Sequence, residues 1–227
     1  MRILAVSDKV EPVLYGPHIR ERVGQIDLIL ACGDLPYYYL EYIVGLLDSP
    51  LYFVHGNHDK VVALPNDPDA LTGASVFNWA TNLHLRTVNH KGLLLGGMEG
   101  CRVYNPGAPF QYSEQEVKAQ VLRLGLRLHL NRLRHGRCLD ILITHAPPRG
   151  IHDGEDLPHR GFESYLWLLR AFQPTLMIHG HQHVYNRNEA TETDYEGTRI
   201  INTYGYRVLE LAKRRDSPGW ELVSGSR

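Results

Sequence analysis
The chain has 227 residues, a formal charge of -1 and 43% apolar side chains, a balance that excludes a disordered segment and a strongly basic nucleic-acid protein. That length suits one domain, residues 1–227, with a large buried core. Cys32, Cys101 and Cys138 are odd in number and form no CxxC pair, so buried reduced thiols are expected rather than disulfides or a zinc knuckle.

In chain order, Ile3 to Val6 is an apolar, β-prone run that stops at Ser7-Asp8. This opening is too short for a secretory signal, and no later run reaches the ~18 residues that cross a bilayer. A cytoplasmic protein with no membrane partner is therefore expected. A short helix is predicted near His18 to Val23, and Leu28 to Cys32 then repeats the first pattern, ending at Gly33-Asp34. Tyr38 to Leu47 carries Leu40, Ile43, Val44 and Leu47 at helical spacing, which predicts a helix packed on the sheet. A strand over Leu51 to Val54 runs through His55 into Gly56-Asn57-His58-Asp59. Adjacent residues in such a turn point different ways: if Asn57 offers its carbonyl oxygen to a metal, His58 is left to meet a substrate.

Val61 to Ala80, rich in Pro, Asn, Asp and Gly, reads as a long loop. Strands are predicted over Leu83 to Val88 and Leu93 to Leu95, and an irregular crossing over Cys101 to Tyr112. Ser113 and Glu116 match a capping box that opens a helix to about Leu133, with Val117, Val121, Leu124 and Leu128 as its apolar stripe. Its Arg123, Arg127, Arg132 and Arg134 read as a solvated face, with a phosphate-binding face as the alternative. A strand over Leu139 to Ile143 stops at Thr144-His145, a polar loop fills Arg149 to Gly161, and an amphipathic helix covers Phe162 to Phe172. Thr175 to Ile178 leads into His179-Gly180-His181-Gln182-His183. Val184 to Arg187, Arg199 to Tyr204 and Val208 to Leu211 are predicted as consecutive antiparallel strands.

Five apolar strands thus end in Asp8, in Asp34, in Asn57 with His58, in His145, and in His181 with His183. Ligands of α/β sheets gather at the carboxyl ends of strands, so these endings are expected to share one crevice. Each has a plainer role alone: Asp8 as a cap, Gly33-Asp34 as a turn, His145 as a packed strand end. Their conjunction points to a metal site. Oxygen and imidazole donors without a thiolate suit manganese, iron or zinc. Two such ions about 3.5–4 Å apart stabilise the attacking and leaving oxygens of a displacement at phosphorus, so the pattern suits hydrolysis of phosphate esters.

Ser7-Asp8, Gly33-Asp34, Gly56-Asn57-His58-Asp59, Thr144-His145 and Gly180-His181-Gln182-His183 together resemble the motifs of the calcineurin-like metallophosphoesterases. The resemblance implies an α/β fold, a four-layer αββα sandwich of two mixed β-sheets flanked by helices, with a dimetal site at one edge. It implies two divalent transition-metal ions, Mn, Fe or Zn, with Asp34 bridging them, Asp8 and His183 serving one, and Asn57, His145 and His181 the other. By the same resemblance His58, beside Asn57, contacts the phosphate and protonates the leaving oxygen while a metal-bound hydroxide attacks phosphorus.

The first motif departs from the family, which usually has Asp-x-His where this chain has Asp8-Lys9-Val10. Valine cannot coordinate, so water or an incoming side chain such as His18 or His152 has to complete that shell. One tight and one weaker metal position are expected. Leu35-Pro36-Tyr37-Tyr38-Tyr39 lacks the Asp-Arg pair of the protein serine/threonine phosphatase branch, which points away from phosphoproteins. The three tyrosines either line the pocket and stack on a nucleobase or turn into the core. Lys9, Arg149 and Arg187 stand beside the metal motifs, as phosphate holders or as solvated charges. The expected function is a metal-dependent phosphoesterase whose partner is a small phosphate ester, a phosphodiester or a nucleotide. The alternative is a phosphate- or nucleotide-binding protein of the same fold with little turnover. No stable nucleic-acid complex is expected, because the near-neutral charge supplies no basic channel.

Overall fold
The computed structural model describes residues 1–61, 79–186 and 189–226. In order, its elements are β1 (Arg2–Ser7), α1 (Ile19–Val23), β2 (Leu28–Ala31), α2 (Tyr37–Leu47), β3 (Leu51–Phe53), β4 (Ala80–Asn82), β5 (Thr87–His90) and β6 (Leu93–Met98). There follow β7 (Cys101–Arg102), β8 (Gln111–Tyr112), α3 (Glu114–His135), β9 (Ile141–Thr144), α4 (Glu163–Phe172), β10 (Leu176–His179), β11 (Glu192–Tyr195), β12 (Thr198–Asn202), β13 (Gly205–Lys213) and β14 (Trp220–Ser226). One six-stranded sheet has the order β14-β13-β1-β2-β3-β4 and the other β11-β12-β10-β9-β6-β5. Both are mixed: β1 to β4 are parallel, β13 runs antiparallel to β1 and β14 antiparallel to β13, and β12, β10, β9 and β6 are parallel with β11 and β5 antiparallel.

Side chains of a strand alternate between its two faces, and here both faces are covered, so the central strands read as unbroken apolar runs. Ile3, Ala5, Leu28 and Leu30 point between the sheets and meet Leu95, Ile141, Ile143 and Ile178. Leu4, Val6 and Ile29 point the other way, onto Ile19, Val23, Leu40 and Ile43 of α1 and α2. Leu142 and Met177 face Val117, Val121, Leu124 and Leu168 of α3 and α4. The result is the helix–sheet–sheet–helix layering that the motifs implied. Each fully buried Leu or Ile contributes about 1.5–3 kcal/mol, so these three layers of contact carry most of the stabilisation.

Local signals are reliable where a side chain closes its own hydrogen bond. Ser113 Oγ accepts the Glu116 N–H at 3.3 Å, and Glu116 Oε2 accepts the Ser113 N–H at 2.7 Å, completing the expected capping box of α3. All three cysteines are buried free thiols. Among the described residues no helix is long and apolar enough to cross a membrane.

Elsewhere the structure corrects the predicted elements. The predicted strand over Leu83 to Val88 is largely a crossing: β4 of the first sheet already ends at Asn82, and β5 of the second begins only at Thr87. The chain changes sheets through Leu85, at φ 55, with Asn82 Oδ1 accepting the His84 N–H at 2.7 Å. Apolar content marks burial there but not which sheet buries it. Residues 184–186 form no strand, because Asn202 Nδ2 takes the Gln182 carbonyl at 2.8 Å and Tyr185 turns onto Tyr204; Arg187 lies outside the described residues. β12 and β13 are consecutive but unpaired: one lies beside β10, the other beside β1. The edge strand β11 is polar, and β14 turns only Trp220 and Leu222 onto the core, so neither carries an apolar run that would predict it. Cys101 to Tyr112 is closed by the short β7–β8 pair. Most of the loop predicted over Val61 to Ala80 lies outside the described residues.

Candidate metal centre
Strand register brings the polar motifs level. Ala31 of β2 stands beside Val6 of β1 and Phe53 of β3, so Asp8, Asp34 and the turn at Gly56 leave the first sheet side by side. Ile143 of β9 stands beside Ile178 of β10, which delivers His145 and His181 from the second sheet to the same edge. Asp8, Asp34 and His181 hold φ of 61, 56 and 65, left-handed backbone that costs non-glycine residues about 1–3 kcal/mol each. The neighbouring glycines make room for this. A Cβ at Gly56 would stand on Asp34 Oδ1, and one at Gly180 would stand on Asp8 Oδ2.

Four donors meet at one point. His145 Nε2 lies 3.0 Å from Asn57 Oδ1, 3.1 Å from His181 Nδ1 and 3.3 Å from Asp34 Oδ2. Asp34, His145 and His181 each offer a ligand atom within 4.8 Å of the others, a cluster able to hold a metal. Each imidazole is oriented from behind: His145 Nδ1 lies 2.7 Å from the Cys32 carbonyl and His181 Nε2 lies 2.8 Å from the Pro158 carbonyl. Those outer nitrogens have to carry hydrogen, which leaves Nε2 of one ring and Nδ1 of the other facing inward; metal-ligating histidines are held in the same way.

Electrostatics at this point call for added positive charge. Burial opposes the charge of Asp34, yet His145 beside it and the His58 N–H at 2.8 Å draw its pKa down to about 2. Burial likewise opposes a charged His145, and Asp34 and Asp8 overcome it, raising its pKa to about 9. His181 is pushed down to about 3 by burial and by His145. Burial lifts Asp8 to about 6 although both its oxygens accept the His181 N–H, at 2.9 and 3.0 Å. The side chains alone thus favour a proton on His145 Nε2, the atom that faces the other donors. A divalent cation there answers the same charge and engages both imidazole lone pairs, so the donor set fits a transition metal.

Asp8, Asp34, Asn57, His145 and His181 are brought together; His183 is not in the cluster. It is exposed, with Nδ1 2.8 Å from Tyr185 Oη and its ring 4.7 Å from that of Tyr204. Neither side chain considered as a replacement ligand faces the cluster. His18 pairs with Glu21 at 3.0 Å, and His152 lies 3.1 Å from His179 Nε2 and 2.9 Å from Thr193 Oγ1. Val10 packs against the outer core of the first sheet. Lys9 is paired with Glu11 at 2.9 Å and Arg149 with Asp153 at 2.7 Å, while Arg187 lies outside the described residues.

Two further residues shape the cluster. Asp59 Oδ2 accepts the Gly56 N–H at 2.8 Å and the Asp34 N–H at 3.3 Å, closing the turn. Its place in the Gly56–Asp59 motif is a usable signal. Tyr104 Oη lies 3.2 Å from Asn57 Nδ2, which directs the amide oxygen at His145; nothing in the sequence of that irregular crossing marks it.

Beside the cluster is a cavity of about 520 Å³ lined by Asp34, His58, Tyr37, Tyr38 and Lys60, among others. His58 projects there with its side chain exposed. Tyr37 Oη donates to the Lys60 carbonyl at 3.0 Å, and Tyr38 is 57% exposed. Tyr39 is fully buried, so two of the three tyrosines border the cavity and one belongs to the core.

The profile of the calcineurin-like phosphoesterases matches residues 2–185, and the chain belongs to that family. In fold it is similar to TT1561 of Thermus thermophilus, at 16% identity and a TM-score of 0.60, with 92% of this chain and 93% of that one covered. It is also similar to GAP50, the anchor in the inner membrane complex of Plasmodium, at 13% identity and a TM-score of 0.53, with 100% of this chain and 88% of that one covered. No curated protein sequence matches it.

Proposed function
We propose that the protein is a metal-dependent phosphoesterase that hydrolyses a phosphodiester or a small nucleotide phosphate ester at a dinuclear centre of manganese, iron or zinc. The observation that carries this reading is the inward convergence of Asp34, Asn57, His145 and His181 beside a cavity that Asp34 and His58 line. Asn57, His145 and His181 would hold one ion, Asp34 both, and Asp8 the second, which His183 would join only by turning away from Tyr185. When bound, such ions neutralise charge developing on the phosphoryl oxygens and activate water. His58, beside Asn57, touches the phosphate and gives a proton to the departing oxygen. Tyr37, Tyr38 and Lys60 then accept the leaving group, whose flat or apolar parts suit the aromatic walls. A screen of phosphomonoesters, diesters and cyclic nucleotides against each metal tests this, with turnover of a diester or nucleotide as the expected result.

A second reading rests on Val10, half-buried against the outer core, and on His183, turned toward Tyr185. With the second ion held by Asp8 and Asp34 alone, the same fold would bind phosphate or a nucleotide with little turnover. Nucleotide binding without hydrolysis under any of the three metals would favour it.

A further inference from the structure
Helix α3 packs on the second sheet through Val117, Val121, Leu124 and Leu128, yet its opposite side is apolar as well. Leu122, Leu126, Leu130 and Leu133 recur at four- and three-residue spacing, which aligns them along one side of the helix. They are 54%, 69%, 48% and 83% exposed. Exposed leucines scattered singly need no explanation, but a contiguous row marks a contact surface. The apolar surface continues onto α4. Phe172 packs at Gly125 and near His129, and Trp167, 46% exposed, stands edge-on to Phe172 at 6.1 Å.

The charges beside the row specify what covers it. From Val117 to His135 the helix carries Lys118, Arg123, Arg127, Arg132 and Arg134 and no acidic residue, although the whole chain has a formal charge of -1. By helical position Arg123, Arg127 and Arg134 border the leucines on one side, and Lys118 and Arg132 on the other. All five are exposed, and among the described residues none forms an ion pair. A second copy of this face would set cations against cations, and a neutral apolar partner would leave them uncompensated. An anionic lipid surface supplies both halves, headgroup charge for the cations and the acyl boundary for Leu and Trp.

We propose that α3 docks the protein on an anionic phospholipid surface, with the helix axis in the membrane plane. The expectation of no membrane partner rests on there being no segment long enough to span one; lying on the surface needs no such segment. Co-sedimentation of the full chain with phosphatidylcholine vesicles, with and without phosphatidylserine, tests this. Binding to the phosphatidylserine vesicles alone is expected, weakening as salt is raised. Leu126→Ser with Leu133→Ser, and separately Arg123→Glu with Arg127→Glu, are each expected to weaken it by about tenfold or more. These positions are exposed, so the thermal midpoint and activity in solution stay unchanged. Failure to sediment with phosphatidylserine vesicles, or equal binding by the variants, would overturn the proposal. So would a dimer in sedimentation equilibrium that the leucine variants dissociate, since the face would then join copies of the chain.

Discussion

His145 Nε2 stands 3.1 Å from His181 Nδ1, while the far nitrogen of each ring is tied to a backbone carbonyl, that of Cys32 and that of Pro158. Two imidazoles placed this way cannot both keep a lone pair inward unless a cation lies between them. His145→Ala is therefore expected to reduce retention of the tighter metal by more than about 100-fold, beyond the 10–100-fold typical of losing a residue behind a ligand. Elemental analysis after dialysis checks it, with circular dichroism to confirm that the fold persists.

The two metal positions are expected to differ. Val10, half-buried, packs against the core and His183 meets Tyr185, so in the proposed dinuclear centre the position at Asp8 would exchange its ion more readily than the position at His145. Titration calorimetry with manganese should show one strong and one weak step. Val10→His, restoring an imidazole at that position, is expected to strengthen the weak step; two equally tight ions in the wild-type protein would contradict this account.

The cluster was legible because motif residues follow strands that the sequence marks clearly, and parallel register then fixes where those residues emerge. Asp8, Asp34, Asn57, His145 and His181 needed nothing more than burial pattern and order. What the sequence could not convey was contact over long separation. Tyr104 reaches Asn57 from a crossing with no periodic signal, and His152 is captured by His179 rather than by a metal. The crossing from one sheet to the other between Asn82 and Thr87 and the edge strands β11 and β14 depend on partners distant in sequence, which apolar content does not encode.

Tyr104→Phe removes the hydroxyl that fixes the Asn57 amide. About tenfold weaker metal binding is expected, with the thermal midpoint nearly unchanged. An unaltered affinity would mean that the amide is oriented without this contact.

His84 gives the fold a dependence on pH. Burial lowers its pKa below the ordinary 6.5, against the opposing pull of Glu99. Its Nδ1 accepts the Glu99 N–H at 3.1 Å, which fixes the neutral ring. The unfolded chain accordingly takes up a proton that the folded chain resists. This contribution is complete above the unfolded pKa of about 6.5 and is lost as pH falls toward the lower folded value. The urea midpoint should drop between about pH 7 and pH 5, and His84→Gln should lessen the drop.

Asp140 tests stability apart from chemistry. This buried carboxylate accepts Arg137 Nε at 2.7 Å and Nη2 at 2.8 Å, together with the Leu94 N–H at 2.7 Å. Asp140→Ala is expected to cost about 3 kcal/mol, read as a lower denaturant midpoint, because it strands a partly buried guanidinium. Metal content per folded molecule should stay the same.

The most direct test of the central claim is turnover of bis(p-nitrophenyl) phosphate as manganese is titrated into metal-stripped wild-type protein, Asp34→Asn and His58→Ala. Wild-type turnover should rise with the metal, and Asp34→Asn should lose both metal and turnover. His58→Ala should keep the metal while kcat falls by about 100-fold or more. Hydrolysis by the stripped wild type at the same rate, or hydrolysis that survives Asp34→Asn, would contradict a metal centre built from these strand ends.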